Sequence, residues 1–144
     1  MSELVYLDGR SVTRPVHVRA EVVVVGSGPA GATVARSLAA RGVDVAVVEE
    51  GHEARPASFE ASGLRAMASL YRDMGTSIAF GNNPMPFLQG VAVGGTSVVN
   101  GAISWSLSRD VVETWYRHDP ALRDALAFDE LEAAQSAIEH RLGV

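Results

Sequence analysis

The feature of this 144-residue chain that most constrains its fold is a short valine run followed at once by a glycine-rich loop. Val22–Val25 is a continuous β-branched run, which is typical of a strand buried on both faces of a parallel sheet. A helical pattern covers residues 29–41, and the apolar run 43–48 predicts a second strand. The segment 21–51 is therefore expected to form a β-α-β unit.

The glycine-rich loop matches the G-x-G-x-x-G pattern. It consists of Gly26, Ser27, Gly28, Pro29, Ala30 and Gly31. Gly26 allows the tight turn off the strand, Gly28 lets a pyrophosphate approach the backbone, and Gly31 lets the helix lie close to the sheet. The N-terminus of the helix offers N–H groups and a partial positive charge to phosphates. The alternative interpretation is a plain strand–turn–helix connection that binds no ligand.

An acidic pair follows the second predicted strand. Glu49 directly ends the apolar run, eighteen residues after Gly31, and Glu50 is the competing candidate. A carboxylate at this position accepts hydrogen bonds from an adenosine ribose and repels a 2′-phosphate. The unit therefore favours FAD or NAD over NADP as the nucleotide.

Composition excludes several kinds of site. Apolar residues make up 47% of the chain and charged residues 20%, which indicates a globular protein with room for one domain. Cysteine is absent, so disulfides, thiol nucleophiles and cysteine-based metal sites are excluded. All 12 basic residues are arginines, so no Schiff-base or P-loop lysine is present. The net charge of −5 argues against electrostatic binding to nucleic acid.

The histidines and the first residues show no pattern of a metal site or a targeting segment. The four histidines have no metal-ligand spacing, so no metal site is expected. The first residues lack the pattern of a signal peptide, and no apolar run approaches the length of a membrane span, which favours a cytoplasmic protein. Asp129, with Glu132 three residues on, is expected to cap a C-terminal helix over 129–142.

A second glycine loop separates the FAD and NAD alternatives. Within the segment 90–101, residues 94–100 read G-G-T-S-V-V-N. Together with the first loop and Glu49-Glu50-Gly51, this order of motifs resembles the glucose–methanol–choline (GMC) oxidoreductase family. Tyr71–Gly75 and Trp115 resemble the long-chain alcohol oxidase and cholesterol-oxidase-like branch of that family. An ordinary glycine-rich turn into a strand is the alternative interpretation of this loop.

The resemblance implies an α/β fold with a Rossmann-like FAD-binding parallel sheet and flanking helices. Residues 1–144 would be the N-terminal part of the FAD-binding domain, incomplete without a C-terminal substrate domain. The second loop would contact the pyrophosphate and ribityl part of FAD, and Asn100 would lie beside the isoalloxazine ring. The candidate cofactor-binding residues in this loop are Gly94, Gly95, Thr96, Ser97, Asn100 and Gly101; those in the first unit are Gly26, Gly28, Pro29, Ala30, Gly31, Glu49 and Glu50.

Two departures from the family pattern qualify that expectation. Val99 stands where some members attach FAD through a histidine, so noncovalent FAD is expected. The catalytic groups of the family lie in its C-terminal region, so no catalytic residue is expected in this chain. The resemblance thus implies hydride transfer from an alcohol to flavin N5, with the catalytic base and substrate domain supplied by a larger partner chain or a missing C-terminal part.

Two alternatives from other classes remain open on the sequence. One is a non-redox lyase or decarboxylase on the same fold, which would hold FAD without oxidising an alcohol. The other is a free-standing module that binds adenine nucleotides and no flavin.

Overall fold

The structure is a computed structural model that describes residues 5–55, 57, 59, 62–101 and 103–143. The chain divides into two units, Met1–Asn100 and Gly101–Val144. The first unit contains both glycine loops, and the regular elements of the second unit are helices.

The first unit is built on the expected β-α-β arrangement. Strand β1 (Val22–Val25) leads into helix α1 (Pro29–Ala39), which returns to strand β2 (Val45–Val48). The two strands pair in parallel, with Val22 opposite Val45. The prediction of an α/β fragment with a parallel sheet and helices is confirmed.

The two faces of this sheet differ in how they are covered. Helix α1 approaches one face closely, because a Cβ built at Gly31 would overlap the Gly26 carbonyl oxygen and lie 3.3 Å from Cγ1 of Val24. Side chains alternate along a strand, so Val23 and Val25 point to the opposite face, where they are 57% and 85% exposed. A strand of this apolar character normally has both faces covered. The second face of the sheet is therefore an open apolar surface in the described chain.

The remainder of the first unit is mostly short elements. These are a 3-10 turn at Gly9–Ser11, helix α2 (Gly63–Leu70), a turn at Arg72–Gly75, strands β3 (Ile78–Ala79) and β4 (Met85–Pro86), and a 3-10 turn at Gly95–Val98. Strands β3 and β4 pair antiparallel. A parallel bridge between His52 and Ala92 aligns residues 91–93 with the chain that leaves β2.

The second unit packs three helices around a small core. They are α3 (Arg109–His118), α4 (Leu122–Ala125) and α5 (Phe128–Leu142). Val112, Tyr116 and Phe128 are the buried residues of this core. The Tyr116 hydroxyl donates a 2.6 Å hydrogen bond to the Leu126 carbonyl, which satisfies its polar end.

The predicted C-terminal helix over 129–142 is present, but the prediction that Asp129 caps it is wrong. Helix α5 begins at Phe128 with Ala127 as the N-cap, and no side chain caps it. Phe128, the first residue of the helix, is buried in the core with Val112 and Tyr116. Asp129 instead lies in the first turn, 3.2 Å from the Arg109 guanidinium. Gly143 ends the helix in the left-handed region, at φ +75°.

The second strand also starts later than its apolar run. The Val43 N–H still donates to the Leu38 carbonyl, so the chain is completing the turn out of α1 at that point. The Asp44 N–H donates to the Glu21 carboxylate, which secures the entry into β2.

Among the described residues, no helix is both long enough and apolar enough to cross a bilayer.

Candidate functional site

The first glycine loop forms a tight left-handed turn at the end of β1. Gly26 has φ +90°, a conformation that side chains disfavour, and its N–H donates to the Val48 carbonyl at 2.8 Å. Gly28 is the N-cap of α1, and Pro29 occupies the first helical position. The first N–H groups of a helix lack partners within the helix, so this loop presents backbone donors at its N-terminal end.

The second glycine loop turns in the same manner. Gly94 and Gly95 have φ +99° and +58°, and the 3-10 turn Gly95–Val98 follows. The Ser97 hydroxyl donates to the Gly94 carbonyl at 2.6 Å, and the Thr96 hydroxyl accepts from the Gly90 N–H at 3.1 Å. These side chains hold the loop in its turn conformation.

Pairing beyond β2 brings the second loop beside the first. Val93 donates its N–H to the His52 carbonyl at 3.0 Å, which continues the parallel alignment past the end of the strand. Gly51 makes this possible, because a Cβ there would overlap the backbone of Ala92. The two loops consequently touch: a Cβ built at Gly95 would lie 3.0 Å from the Gly28 Cα.

Glu49 lies at the junction of the two loops. Its Oε2 accepts from the Ser27 N–H at 2.7 Å and from the Ser27 hydroxyl at 2.6 Å, and its Oε1 accepts from the Gly51 N–H at 2.8 Å. Burial raises the pKa of Glu49, but these hydrogen bonds to the charged form outweigh burial, so the pKa lies below its usual value. The side chain is therefore an anionic acceptor at neutral pH.

Glu50 has a different role from that of its neighbour. Arg72 binds its carboxylate through two nitrogens, at 3.0 and 2.5 Å, and donates from Nε to Gln89 at 2.8 Å. The hydrogen bond from Arg72 lowers the pKa of Glu50. Arg72 is set in place by a left-handed turn, since the next two residues, Asp73 and Met74, both have positive φ. The ion pair ties this turn to the end of β2.

A cleft of about 460 Å³ joins these features in the first unit. Its lining combines the first loop, the acidic pair and the second loop: Val25, Gly26, Gly28, Pro29, Val48, Glu49, Glu50, Arg72, Gln89, Gly90, Val91, Gly95 and Thr96. A second cavity of about 530 Å³, lined by residues such as Phe59 and Arg65, contains none of the predicted site residues.

Seven predicted site residues line the cleft, and the others are placed around it or away from it. Gly31 and Gly94 support the two loops, and Ala30 lies in the first turn of α1. Ser97 and Asn100 do not line the cleft; the Asn100 amide donates to the Ser97 carbonyl at 2.8 Å. Gly101 belongs to the second unit.

The predicted site residues do not include the polar side chains of Arg72 and Gln89, which line the cleft, or the Ser27 hydroxyl, which binds Glu49. Ser27 occupies the open position of the glycine pattern, Arg72 enters only through the resemblance of Tyr71–Gly75, and no short motif marks Gln89. Their roles depend on partners 17 to 67 positions away along the chain.

The residues around the cleft suit a dinucleotide in their chemistry. The glycines of the two loops leave the backbone accessible, the N-terminus of α1 provides hydrogen-bond donors, and the ionised Glu49 carboxylate provides an acceptor. The volume lies within the range of small-molecule sites. Within the described residues no cluster of His, Asp or Glu could hold a metal ion.

Comparison with known proteins places this chain in a family. Residues 21–130 match the family model described as FAD dependent oxidoreductase. An uncharacterized GMC-type oxidoreductase of Mycobacterium tuberculosis is 42% identical over 106 residues, 73% of this chain and 17% of that protein. A GMC-type oxidoreductase of Sinorhizobium fredii is 33% identical, covering 74% of this chain and 21% of the relative.

A long-chain-alcohol oxidase of Arabidopsis thaliana is also similar, at 31% identity over 88% of this chain and 16% of that protein. The chain thus spans about one fifth or less of the length of these curated relatives. No solved structure gives a significant match. The matched region contains both glycine loops and the acidic pair, and the chain therefore belongs to the FAD-dependent oxidoreductases, as a GMC-type member matched over its FAD-binding portion.

Proposed function

We propose that this chain binds FAD noncovalently and forms the FAD-binding part of an enzyme that oxidises an alcohol. The observation that carries the proposal is the meeting of two glycine loops and an ionised carboxylate at one cleft. Either loop alone is compatible with an ordinary turn. Their direct contact, with Glu49 at the junction, is what a ligand with both a ribose and a pyrophosphate requires.

Each part of the cleft has a distinct task in this proposal. The N–H groups at the start of α1 would bind the pyrophosphate, and the bare backbone of Gly28 and Gly95 would allow it to approach. The ionised Glu49 carboxylate would accept a hydrogen bond from a ribose hydroxyl, and its bonds to Ser27 and Gly51 hold it in place for that role. Val99 cannot form a covalent bond to flavin, which supports noncovalent binding at this position.

When bound, FAD would accept a hydride from the substrate carbon, which is chemistry that the protein side chains cannot supply. The names of the Arabidopsis relatives support a long-chain alcohol as the substrate class. The residues of this chain would hold and orient the cofactor for that reaction.

The first experiment measures FAD affinity by isothermal titration for the 144-residue chain and for Glu49→Gln. We expect the substitution to weaken FAD binding about tenfold, because one charge-assisted hydrogen bond to the ribose becomes a neutral one. FMN lacks the adenosine half, so its affinity should not respond to the substitution.

Glu50→Gln is the matched control, since it neutralises the adjacent carboxylate at the same strand end. We expect a smaller loss of FAD affinity, because Glu50 is bound to Arg72. A larger effect at Glu50 would assign the ribose to that residue instead. Binding of ADP without any binding of FAD would contradict the proposal and favour an adenine-nucleotide module.

We also propose that the substrate pocket and the catalytic base lie outside these 144 residues, for example on a larger partner chain. The resemblance to the family implies that this base is a histidine. The much greater length of the relatives supports this proposal.

A turnover assay tests this second proposal. The flavin-loaded chain alone, mixed with a long-chain alcohol and an artificial electron acceptor, should give no product. Native mass spectrometry of the protein as isolated from its source should show this chain, a larger chain and FAD together. Turnover by the 144-residue chain alone would contradict the proposal.

A further inference from the structure

The Ser27 hydroxyl connects the two glycine loops through Glu49. Its oxygen accepts a hydrogen bond from the Gly94 N–H at 2.9 Å, while the hydroxyl lies 2.6 Å from Glu49 Oε2. An ionised carboxylate can only accept, so the hydroxyl proton must point to Glu49. The bonds therefore run in one direction, from the Gly94 amide through Ser27 to the carboxylate.

This chain of hydrogen bonds is separate from the contact that holds the loops together. The loops also meet directly at Gly95 and Gly28, where no side chain is involved. The glycine pattern leaves position 27 open, so its turn does not require a serine. Removal of the hydroxyl should break the connection to Gly94 without separating the loops.

The strength of the hydrogen bonds from Gly94 through Ser27 to Glu49 depends on the charge of Glu49. Hydrogen bonds to an ionised acceptor are shorter and stronger than neutral ones, and successive hydrogen bonds polarise one another. A change in the charge at Glu49 should therefore be transmitted through the Ser27 hydroxyl to the Gly94 amide.

We propose that Ser27 is a positioning residue that couples the ribose end of the cleft, at Glu49, to the second glycine loop, at Gly94. The inference rests on the proposed FAD site, because a ligand that contacts both places would exploit the coupling. Ser27 itself acts through Glu49 and Gly94.

The coupling can be measured without flavin, from the amide resonance of Gly94 in the isotopically labelled 144-residue chain. We expect Glu49→Gln to shift this resonance in the chain with Ser27, and to leave it in place in a Ser27→Ala background. Ser27→Thr keeps a hydroxyl and should restore the response. An equal shift in the presence and absence of the hydroxyl would overturn the proposal.

FAD affinity provides the second readout. Ser27→Ala should weaken FAD binding about fivefold to tenfold, and its effect should be smaller when Glu49 is already glutamine. Additive effects of the two substitutions would overturn the coupling in the bound state. Ser11→Ala is the matched control, since its exposed hydroxyl donates to the nearby Asp8 carbonyl, and it should change neither readout.

The two proposals can fail separately. A chain that binds no FAD would overturn the proposed function, and with it the use of the coupling for flavin. The resonance experiment decides the connection between Glu49 and Gly94 in either case.

Discussion

Replacement of Gly31 by alanine is expected to destabilise the first unit by about 3 kcal/mol and to abolish measurable FAD binding. The new Cβ would overlap the Gly26 carbonyl oxygen and press on Val24, so α1 would have to move away from β1. The atom that the new Cβ would overlap belongs to the main chain of Gly26 and not to a flexible side chain. Relief of the overlap therefore requires a shift of the backbone. Thermal unfolding followed by circular dichroism should show a lower midpoint, by about 10 °C.

Gly63→Ala is the matched control for that substitution. Gly63 also lies in the first turn of a helix, but a Cβ there would meet nothing within 4 Å. Alanine is the better helix former, so the control should leave the midpoint unchanged or raise it slightly. Equal midpoints for Gly31→Ala and Gly63→Ala would contradict the close helix–strand packing.

The β-α-β unit could be predicted because its determinants are local. A valine run, a glycine loop and a helical pattern follow one another, and each restricts the backbone on its own. Boundaries that depend on tertiary contacts were less predictable. At the start of α5 the Phe128 ring is buried with Val112 and Tyr116, a contact that the capping pattern at Asp129 does not reveal.

The candidate site likewise contains positions that the sequence predicts and positions that it does not. Positions such as Gly26 and Gly94 could be proposed from short motifs, because their positive φ values suit glycine. The different roles of Glu49 and Glu50 could not be proposed from the sequence. Glu49 is fixed by Ser27 and Gly51, whereas Glu50 is bound to Arg72, and the sequence contains no sign of how these partners are assigned.

The difference between the predictable and the unpredictable positions has a physical origin. A motif specifies backbone conformation within a few residues, but a binding cleft is made where distant segments meet. Here the meeting depends on the bridge between His52 and Ala92, forty positions apart, which no periodicity indicates. Gly51 is the residue whose substitution should test that meeting most directly.

Gly51→Ala is expected to lower FAD affinity at least about 100-fold and to destabilise the first unit by about 3 kcal/mol. A Cβ at this position would overlap the backbone of Val91 and Ala92, so the segment that leads to the second loop would be pushed away from the end of β2. The hydrogen bond from Val93 to the His52 carbonyl would break. Isothermal titration measures the affinity, and amide hydrogen exchange should be faster at Val93 and Gly94.

The pattern of exchange separates a local effect from general unfolding. Residues 22–25 and 45–48 pair through their own ladder, so their amides should keep most of their protection if only the second loop has moved. Gly81→Ala is the control, because Gly81 has open space around it and no positive φ. Unchanged FAD affinity in Gly51→Ala would mean that the second loop does not need its place beside Gly28, and the two-loop cleft would lose its basis as the flavin site.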